Sequence, residues 1–271
     1  MTPQRLKALA ALEGKQGTIR ELAAIAEVSD AVLRGLVHAG ALEPLAVEAD
    51  RPLNCPDPDF APPELTVDQA AAARSLSEAI GKGFSPILLD GVTGSGKTEV
   101  YFEAIAECLR AGKQVLVLLP EIALTEPFLN RFQARFGCAP VAWHSDLRSS
   151  QRRRGWRAIA SGEAKVTVGA RSALFLPYRD LGLIVVDEAH EPSFKQEEGA
   201  QYHARDVAVM RARFEDIPVI LSSATPAIET RHMVELGRYS ELRLPARFAG
   251  ASLESWWAPA PPFSSPIASS A

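Results

Sequence analysis

Between an apolar run, Pro86-Ile87-Leu88-Leu89-Asp90, and an amphipathic stretch, Val100 to Arg110, the chain carries Gly91-Val92-Thr93-Gly94-Ser95-Gly96-Lys97-Thr98. This is the pattern G-x-x-x-x-G-K-[ST], and it needs a strand before it and a helix after it. Gly91, Gly94 and Gly96 let the backbone turn tightly and approach an anion. Ser95 lies in the same loop, and its N–H groups and the helix N-terminus point at phosphate. Lys97 neutralises β- and γ-phosphates, and the Thr98 hydroxyl is a ligand for Mg²⁺. The expected cofactors are therefore ATP and Mg²⁺. A strand–loop–helix unit of this kind restricts the chain to an α/β architecture.

The pattern downstream agrees. Runs rich in valine, isoleucine and leucine at 87–89, 115–119, 141–143, 166–168, 183–186 and 219–221 alternate with amphipathic stretches at 100–110, 127–136, 151–161, 204–214 and 228–236. Near-continuous apolar strands separated by helices imply a parallel sheet covered on both faces. The expected fold over 65–247 is thus a P-loop lobe with a central parallel sheet.

A second motif, Val185-Val186-Asp187-Glu188-Ala189-His190, follows the run Leu181 to Val186. Asp187, at a strand end, is placed to hold the Mg²⁺ shell, and Glu188 to act as general base toward an attacking water. Alternation along extended backbone sends the two carboxylates in different directions. His190 reads either as a relay to another site or as a satisfied polar residue at a helix start. Ser223-Ala224-Thr225-Pro226, after Val219-Ile220-Leu221, puts small hydroxyls where they can bond His190 or Asp187. Upstream, Leu65-Thr66-Val67-Asp68-Gln69 opens a helix. Gln69 reads either as an adenine reader, through its amide, or as a surface residue.

Residues 1–45 form a separate small unit. Leu6, Leu9, Ala10 and Leu12 mark one helix, and Thr18 with Glu21 resembles a capping box for a second that continues through Leu22, Ile25 and Ala26. Ser29 caps a third, with Val32, Leu33, Leu36 and Val37 buried and Gly40 as its stop. With Ala41 to Leu45 extended, the unit resembles a winged helix, the alternative being a plain helical bundle. Arg34, with His38, is the basic group its third helix offers to DNA. Proline at 52, 56, 58, 62 and 63 makes 46–64 an extended connector.

Composition narrows the partners. A net charge of −4 gives no global nucleic-acid signature, so any DNA surface is local. Arg148, Arg152, Arg153, Arg154 and Arg157 share one helix and read as a solvated face in preference to a phosphate contact. Arg171-Ser172, at a strand end, is the better DNA candidate. Cys55, Cys108 and Cys138 form no C-x-x-C pair, so no zinc site or disulfide framework is expected, and reduced thiols fit a cytoplasmic protein. The longest apolar runs have strand length and fall short of the ~20 residues of a membrane helix.

Taken in order, these motifs look like the first, RecA-like motor lobe of a superfamily 2 helicase. The carriers are Asp90 to Tyr101, Leu119-Pro120-Glu121-Ile122-Ala123-Leu124-Thr125, His144-Ser145, Gly169 to Pro177, Asp187-Glu188-Ala189-His190-Glu191 with Ser193 to Gln196, Tyr202 to Asp206, and Ser222 to Pro226. More narrowly, residues 1 to about 250 resemble the bacterial replication-restart helicases of the primosomal protein N′ (PriA) family. That resemblance implies 3′→5′ unwinding of forked or single-stranded DNA driven by ATP, and loading of the replicative helicase with primosome partners. It implies nucleotide contacts from Gly94, Lys97 and Thr98, Mg²⁺ and water handling by Asp187 and Glu188, and single-stranded DNA contacts from Arg171 and Ser172. The family's 3′-end-capturing domain, cysteine-rich zinc module and second motor lobe have no counterpart here. The stretch 248–271, with Trp256-Trp257-Ala258-Pro259 running into Ser, Ala and Pro, is expected to be disordered and to mark a truncated or frame-shifted product. Two other readings stay open: a P-loop ATPase switch that is not a helicase, and a non-enzymatic, ATP-sensing DNA-binding regulator.

Overall fold

The structure is a computed structural model that describes residues 3–15, 17, 19–43, 53, 55–120, 126–197 and 199–245. It divides into two compact units, one up to Arg51 and one from Pro52 onward.

The first unit holds α1 (Pro3–Leu12), α2 (Ile19–Ala26) and α3 (Asp30–His38). Its small core is Ala8, Leu12, Ala23, Ala26, Leu33 and Leu36, with Leu9, Leu22, Val28, Ala41 and Leu42 packed against it. The buried stripe of α1 is therefore rotated from the expected one, because Ala8 and Leu12 lie one turn apart on the inner face while Leu6 is 56% exposed. Ile25 is likewise exposed, and alanines let α2 approach its neighbours closely. Helix α3 begins after Ser29 and stops at Ala39, with Gly40 at φ +68° taking the left-handed turn that ends the helix. Ser29 holds the N-cap position, but its side chain makes no capping bond. Among the described residues of this unit, which reach Glu43, no strand follows α3. Pro44 and Leu45 of the expected wing lie outside them, as does Thr18 of the expected capping box.

The second unit is built on a parallel sheet of seven strands: β1 (Ser85–Gly91), β2 (Gln114–Leu118), β3 (Val141–Trp143), β4 (Val166–Gly169), β5 (Leu181–Val186), β8 (Pro218–Ser223) and β9 (Ser240–Leu244). Their order is β3-β4-β2-β5-β8-β1-β9. A short antiparallel pair, β6 (Lys195–Gln196) and β7 (Tyr202–His203), stands apart from it. The helices are α4 (Val67–Ala79), α5 (Lys97–Arg110), α6 (Glu126–Phe136), α7 (Ser149–Ser161), α8 (Ala204–Glu215) and α9 (Ile228–Glu235).

Side-chain alternation explains the apolar runs. Ile87, Leu89, Val115, Val117, Leu183, Val185 and Ile220 face one buried layer with residues of α4, α5 and α6. Leu88, Leu116, Leu118, Ile184, Val186, Val219 and Leu221 face the other, with residues of α7 and α8. The central strands thus carry apolar residues toward both faces, as a sheet covered on both sides requires. On the first face Phe102 meets Phe128, Phe132 and Phe136 edge-on at 5.5–5.9 Å, which seats α6 on α5.

The six expected strands and the five downstream helices are all present. The edge strand β9 and the pair β6–β7 are additions that sequence pattern does not distinguish from loops. Part of the expected connector is held by hydrogen bonds. Leu53 N–H donates to Glu163 Oε1 at 2.8 Å, Asp57 N–H donates to the Phe136 carbonyl at 2.9 Å, and Arg110 pairs with Asp59 at 2.6 Å. Leu53, Asp57 and Asp59 are therefore docked on the second unit. The tail from 246 onward lies outside the described residues. Cys108 and Cys138 are buried and Cys55 is exposed, and burial pushes the Cys108 thiol up to about 12.

One buried polar side chain ties the layers together. Gln114, 1% exposed, donates through Nε2 to the Ile159 and Ala164 carbonyls at 3.0 and 2.8 Å. Its Oε1 accepts from the N–H groups of Arg179 and Asp180 at 2.8 and 2.9 Å. It thus joins the end of α7 to the approach into β5. Gln114→Leu should lower stability toward urea by roughly 3 kcal/mol, because it strands buried backbone groups that each cost ~1–3 kcal/mol when unpaired. A loss below about 1 kcal/mol would mean that solvent reaches those groups and the clamp is dispensable.

Candidate nucleotide site

β1 delivers its C-terminal end, Gly91, to the loop 92–96, and α5 starts at Lys97. Gly94 and Gly96 sit at φ +82° and +83°, in the left-handed region that a side chain disfavours. A Cβ on Gly96 would lie 2.3 Å from Gln69 Nε2, and one on Gly91 would lie 2.6 Å from Ser95 Oγ. The glycine spacing is thus imposed by close packing as well as by conformation.

Lys97 is 7% exposed, and its ammonium donates to the Gly91 carbonyl at 2.7 Å and the Val92 carbonyl at 3.4 Å. These are neutral acceptors, and among the described residues Lys97 has no carboxylate in contact. Ser95 Oγ is buried without a hydrogen-bond partner among the described residues. A buried cation and an unsatisfied hydroxyl, both within a glycine-rich loop at a helix N-terminus, fit a phosphate group. The donor set suits a nucleotide.

Gln69 is buried at 4% exposure, so the surface reading does not hold. Its Oε1 accepts from Thr66 N–H at 2.9 Å while the Thr66 hydroxyl accepts from Gln69 N–H at 3.3 Å, a reciprocal cap on α4. Its Nε2 donates to the Ser95 carbonyl at 2.9 Å. The amide thus braces the glycine-rich loop.

Asp187 follows β5, with its N–H bonded to the Leu118 carbonyl at 3.0 Å. Its Oδ1 accepts from Ser222 Oγ at 2.7 Å and from Glu188 N–H at 3.0 Å. Its Oδ2 accepts from the Tyr101 phenol at 2.9 Å. Burial and the Asp187 carboxylate push the Tyr101 phenol well above its ordinary range, so it stays a donor. Thr98 stands half-buried at the start of the helix that carries Tyr101. Among the described residues no cluster of three or more His, Cys, Asp or Glu could hold a metal ion. Thr98 and Asp187 can hold Mg²⁺ with the help of phosphate oxygens and water, the usual arrangement for this cation.

The two carboxylates diverge for a different reason from the one expected. β5 ends at Val186, and Glu188 takes φ +46° in a turn, so a left-handed backbone separates them. Burial, then the neighbouring Asp187 carboxylate, raises the Glu188 carboxyl above its ordinary value. His190 Nδ1 lies 2.9 Å from Ser223 Oγ and 3.6 Å from Glu188 Oε2, so it is tied to both neighbours. The hydroxyl on Asp187 is Ser222, which opens the run 222–226 of the family resemblance but precedes the tetrapeptide 223–226 read for its hydroxyls, while Ser223 serves His190. Tyr101 and Ser222 are site residues that sequence reasoning did not isolate, since both read as interior positions of a helix and a strand.

The DNA candidates lie elsewhere. Arg171 opens a 3-10 turn (Arg171–Phe175) after β4 and donates to the Lys195 carbonyl at 2.6 Å, linking that turn to the β6–β7 pair. Ser172 is exposed, and Phe175, 62% exposed, meets Tyr202 edge-on at 5.4 Å. Arg34 is exposed on α3 of the first unit. Part of the arginine-rich helix departs from a plain solvated face. Arg152 and Arg153 line a groove of about 620 Å³ with Trp143, Ser145, Leu147, Ser149 and Trp156. Arg152 also donates to the Ser145 carbonyl at 3.0 Å, and its guanidinium stands 5.9 Å from the Trp143 ring centre.

Comparison with known proteins agrees with this geometry. Residues 66–234 match the family of DEAD/DEAH box helicases. The chain is 47% identical over 195 residues to the replication restart protein PriA of Rickettsia conorii, covering 72% of this chain and 30% of that protein. It is 40% identical over 243 residues to PriA of Bacillus subtilis, covering 87% and 30%. A solved structure of RecG bound to a three-way DNA junction superposes with a TM-score of 0.53 at 17% identity, over 92% of this chain and 30% of that one. That likeness concerns the fold alone. The chain spans about 30% of the length of these curated relatives. It belongs to the DEAD/DEAH box helicase family, and within that family it is similar to the replication restart protein PriA.

Proposed function

We propose that this chain carries the ATP-binding lobe of a 3′→5′ DNA helicase that works in replication restart. The observation that supports this best is that the helix opened by Lys97 and Thr98 bonds Asp187 through Tyr101, beside a Glu188 whose carboxyl Lys97 acts on electrostatically. ATP with Mg²⁺ supplies the phosphoanhydride whose hydrolysis drives the motor. Lys97 leaves the Gly91 carbonyl for the phosphates, Thr98 and Asp187 hold the cation, and Glu188 orients and deprotonates the attacking water. His190, against Ser223 at the end of β8, passes the state of that site to the next strand. Ser222 and Ser223 lie side by side on one strand, so the cation side and the relay side move together.

The DNA side is read from the other end of the sheet, at β3 and β4. Arg171 and Ser172 touch a single strand beside Phe175. The groove with Arg152, Arg153, Trp143 and Trp156 suits a charged backbone with stacked bases. The three helices of the first unit are proposed as a winged helix in which Arg34 meets a duplex weakly. Primosome proteins and a replicative-helicase loader are the proposed partners, in a cytoplasmic setting. Among the described residues no helix is long and apolar enough to cross a membrane.

Two outcomes test this. Lys97→Ala should weaken binding of a fluorescent ATP analogue by about 10–100-fold, since a charge-assisted bond contributes ~1.5–3 kcal/mol, while the circular dichroism spectrum is retained. Equal affinities in the two proteins would remove the nucleotide assignment.

The 271-residue chain by itself should bind ATP, hydrolyse it slowly and unwind no fork. Among the described residues the arginines beside the loop are paired with carboxylates, Arg231 with Asp90 and Arg131 with Glu99, and an arginine on the developing charge contributes about 10³–10⁵ in rate. Phosphate release with and without single-stranded DNA, beside a fork-unwinding assay and a Glu188→Gln control, decides it. Robust unwinding that depends on Glu188 would show that the arginine and the opposing surface are supplied another way, for instance by self-association.

A further inference from the structure

Taking the nucleotide reading above as its basis, we infer that Tyr101 is a positioning residue for divalent-cation binding, because its phenol fixes the one Asp187 oxygen left able to face the cation's shell. An aspartate carboxylate turns freely about its last torsion, so its plane must be set by donors. Each oxygen has two lone pairs. Oδ1 has both filled, by Ser222 Oγ at 2.7 Å and Glu188 N–H at 3.0 Å. Oδ2 takes one donor among the described residues, the Tyr101 phenol at 2.9 Å, which leaves a lone pair for a cation-bound water.

The placement of Tyr101 suits this task. It lies three residues after Thr98 on α5, hence on the same side of the helix. One buried hydroxyl, carried one turn after Thr98 on α5, therefore bonds the carboxylate assigned to the cation beyond β5. The ring is fully buried and packs edge-on against Phe102 at 5.4 Å, so the hydroxyl has little freedom to wander. An interior tyrosine needed only for packing could be phenylalanine, since the ring supplies the apolar contact.

Tyr101→Phe keeps that ring and removes only the donor. Binding of a fluorescent ATP analogue, measured across a Mg²⁺ titration and again in EDTA, reads the cation directly without turnover. Tyr101→Phe should raise the half-saturating Mg²⁺ concentration by about 10–100-fold, the usual effect of losing an outer partner of a metal-holding group. Its affinity in EDTA should stay within about twofold of the parent. Ser222→Ala should shift the Mg²⁺ requirement less, because Oδ1 keeps the Glu188 N–H. An unchanged Mg²⁺ requirement in Tyr101→Phe overturns the inference while leaving the nucleotide site in place. Equal weakening with and without Mg²⁺ overturns it too, as it would mark a general loss of the fold. Equal shifts from Ser222→Ala and Tyr101→Phe would overturn the assignment of Oδ2. A parent chain whose binding ignores Mg²⁺ would remove the reading beneath it as well.

Discussion

The Asp187 carboxylate is the point at which this lobe closes. It follows β5, takes hydrogen bonds from β8 through Ser222 and from α5 through Tyr101, and has its own backbone bonded to the end of β2. These contacts are possible because β1, β5 and β8 run parallel in adjacent positions. Val186 of β5 stands opposite Leu221 of β8, and Leu89 and Asp90 of β1 stand opposite Ser222 and Ser223. Three strand ends thus open at one level, the place where parallel α/β sheets bind ligands.

Rigidity beneath the site follows from the same sheet. Both faces are apolar and tightly covered, so the strand ends have little freedom to shift. Polar side chains in the interior are used as ties: Gln114 between α7 and β5, Gln69 between α4 and the phosphate loop. Left unpaired, such groups would be expensive, so each fixes one arrangement of its neighbours. The loop itself is held from below by Gln69, and Lys97 is satisfied by weak neutral acceptors that phosphate can outcompete.

The far end of the sheet has a different character. Around β3 and the start of α7, indole rings and guanidinium groups share a groove. The turn after β4 is tied by Arg171 to the β6–β7 pair, which follows the Asp187–His190 turn in the chain.

Sequence alone determined the class of fold and the nucleotide motif, because each depends on local spacing. Glycines at 91, 94 and 96 before Lys97, and central strands apolar toward both faces, have one economical solution in a covered parallel sheet. The same local logic located Asp187, Glu188 and His190, and the small hydroxyls near 223. It could not locate Tyr101 or separate Ser222 from Ser223, since an interior helical tyrosine and a strand serine look like packing until partners arrive from elsewhere in the chain. It also gave Asp187 and Glu188 an extended backbone where a left-handed turn at Glu188 separates them. Gln69 read as an adenine contact or a surface group, whereas tertiary packing brings Ser95 to it and fixes its amide on the loop. The arginines of α7 read as solvated because charge is visible in sequence and a facing tryptophan on another element is not. Periodicity records which face of an element is buried, but only the assembled sheet decides which distant groups that face will meet.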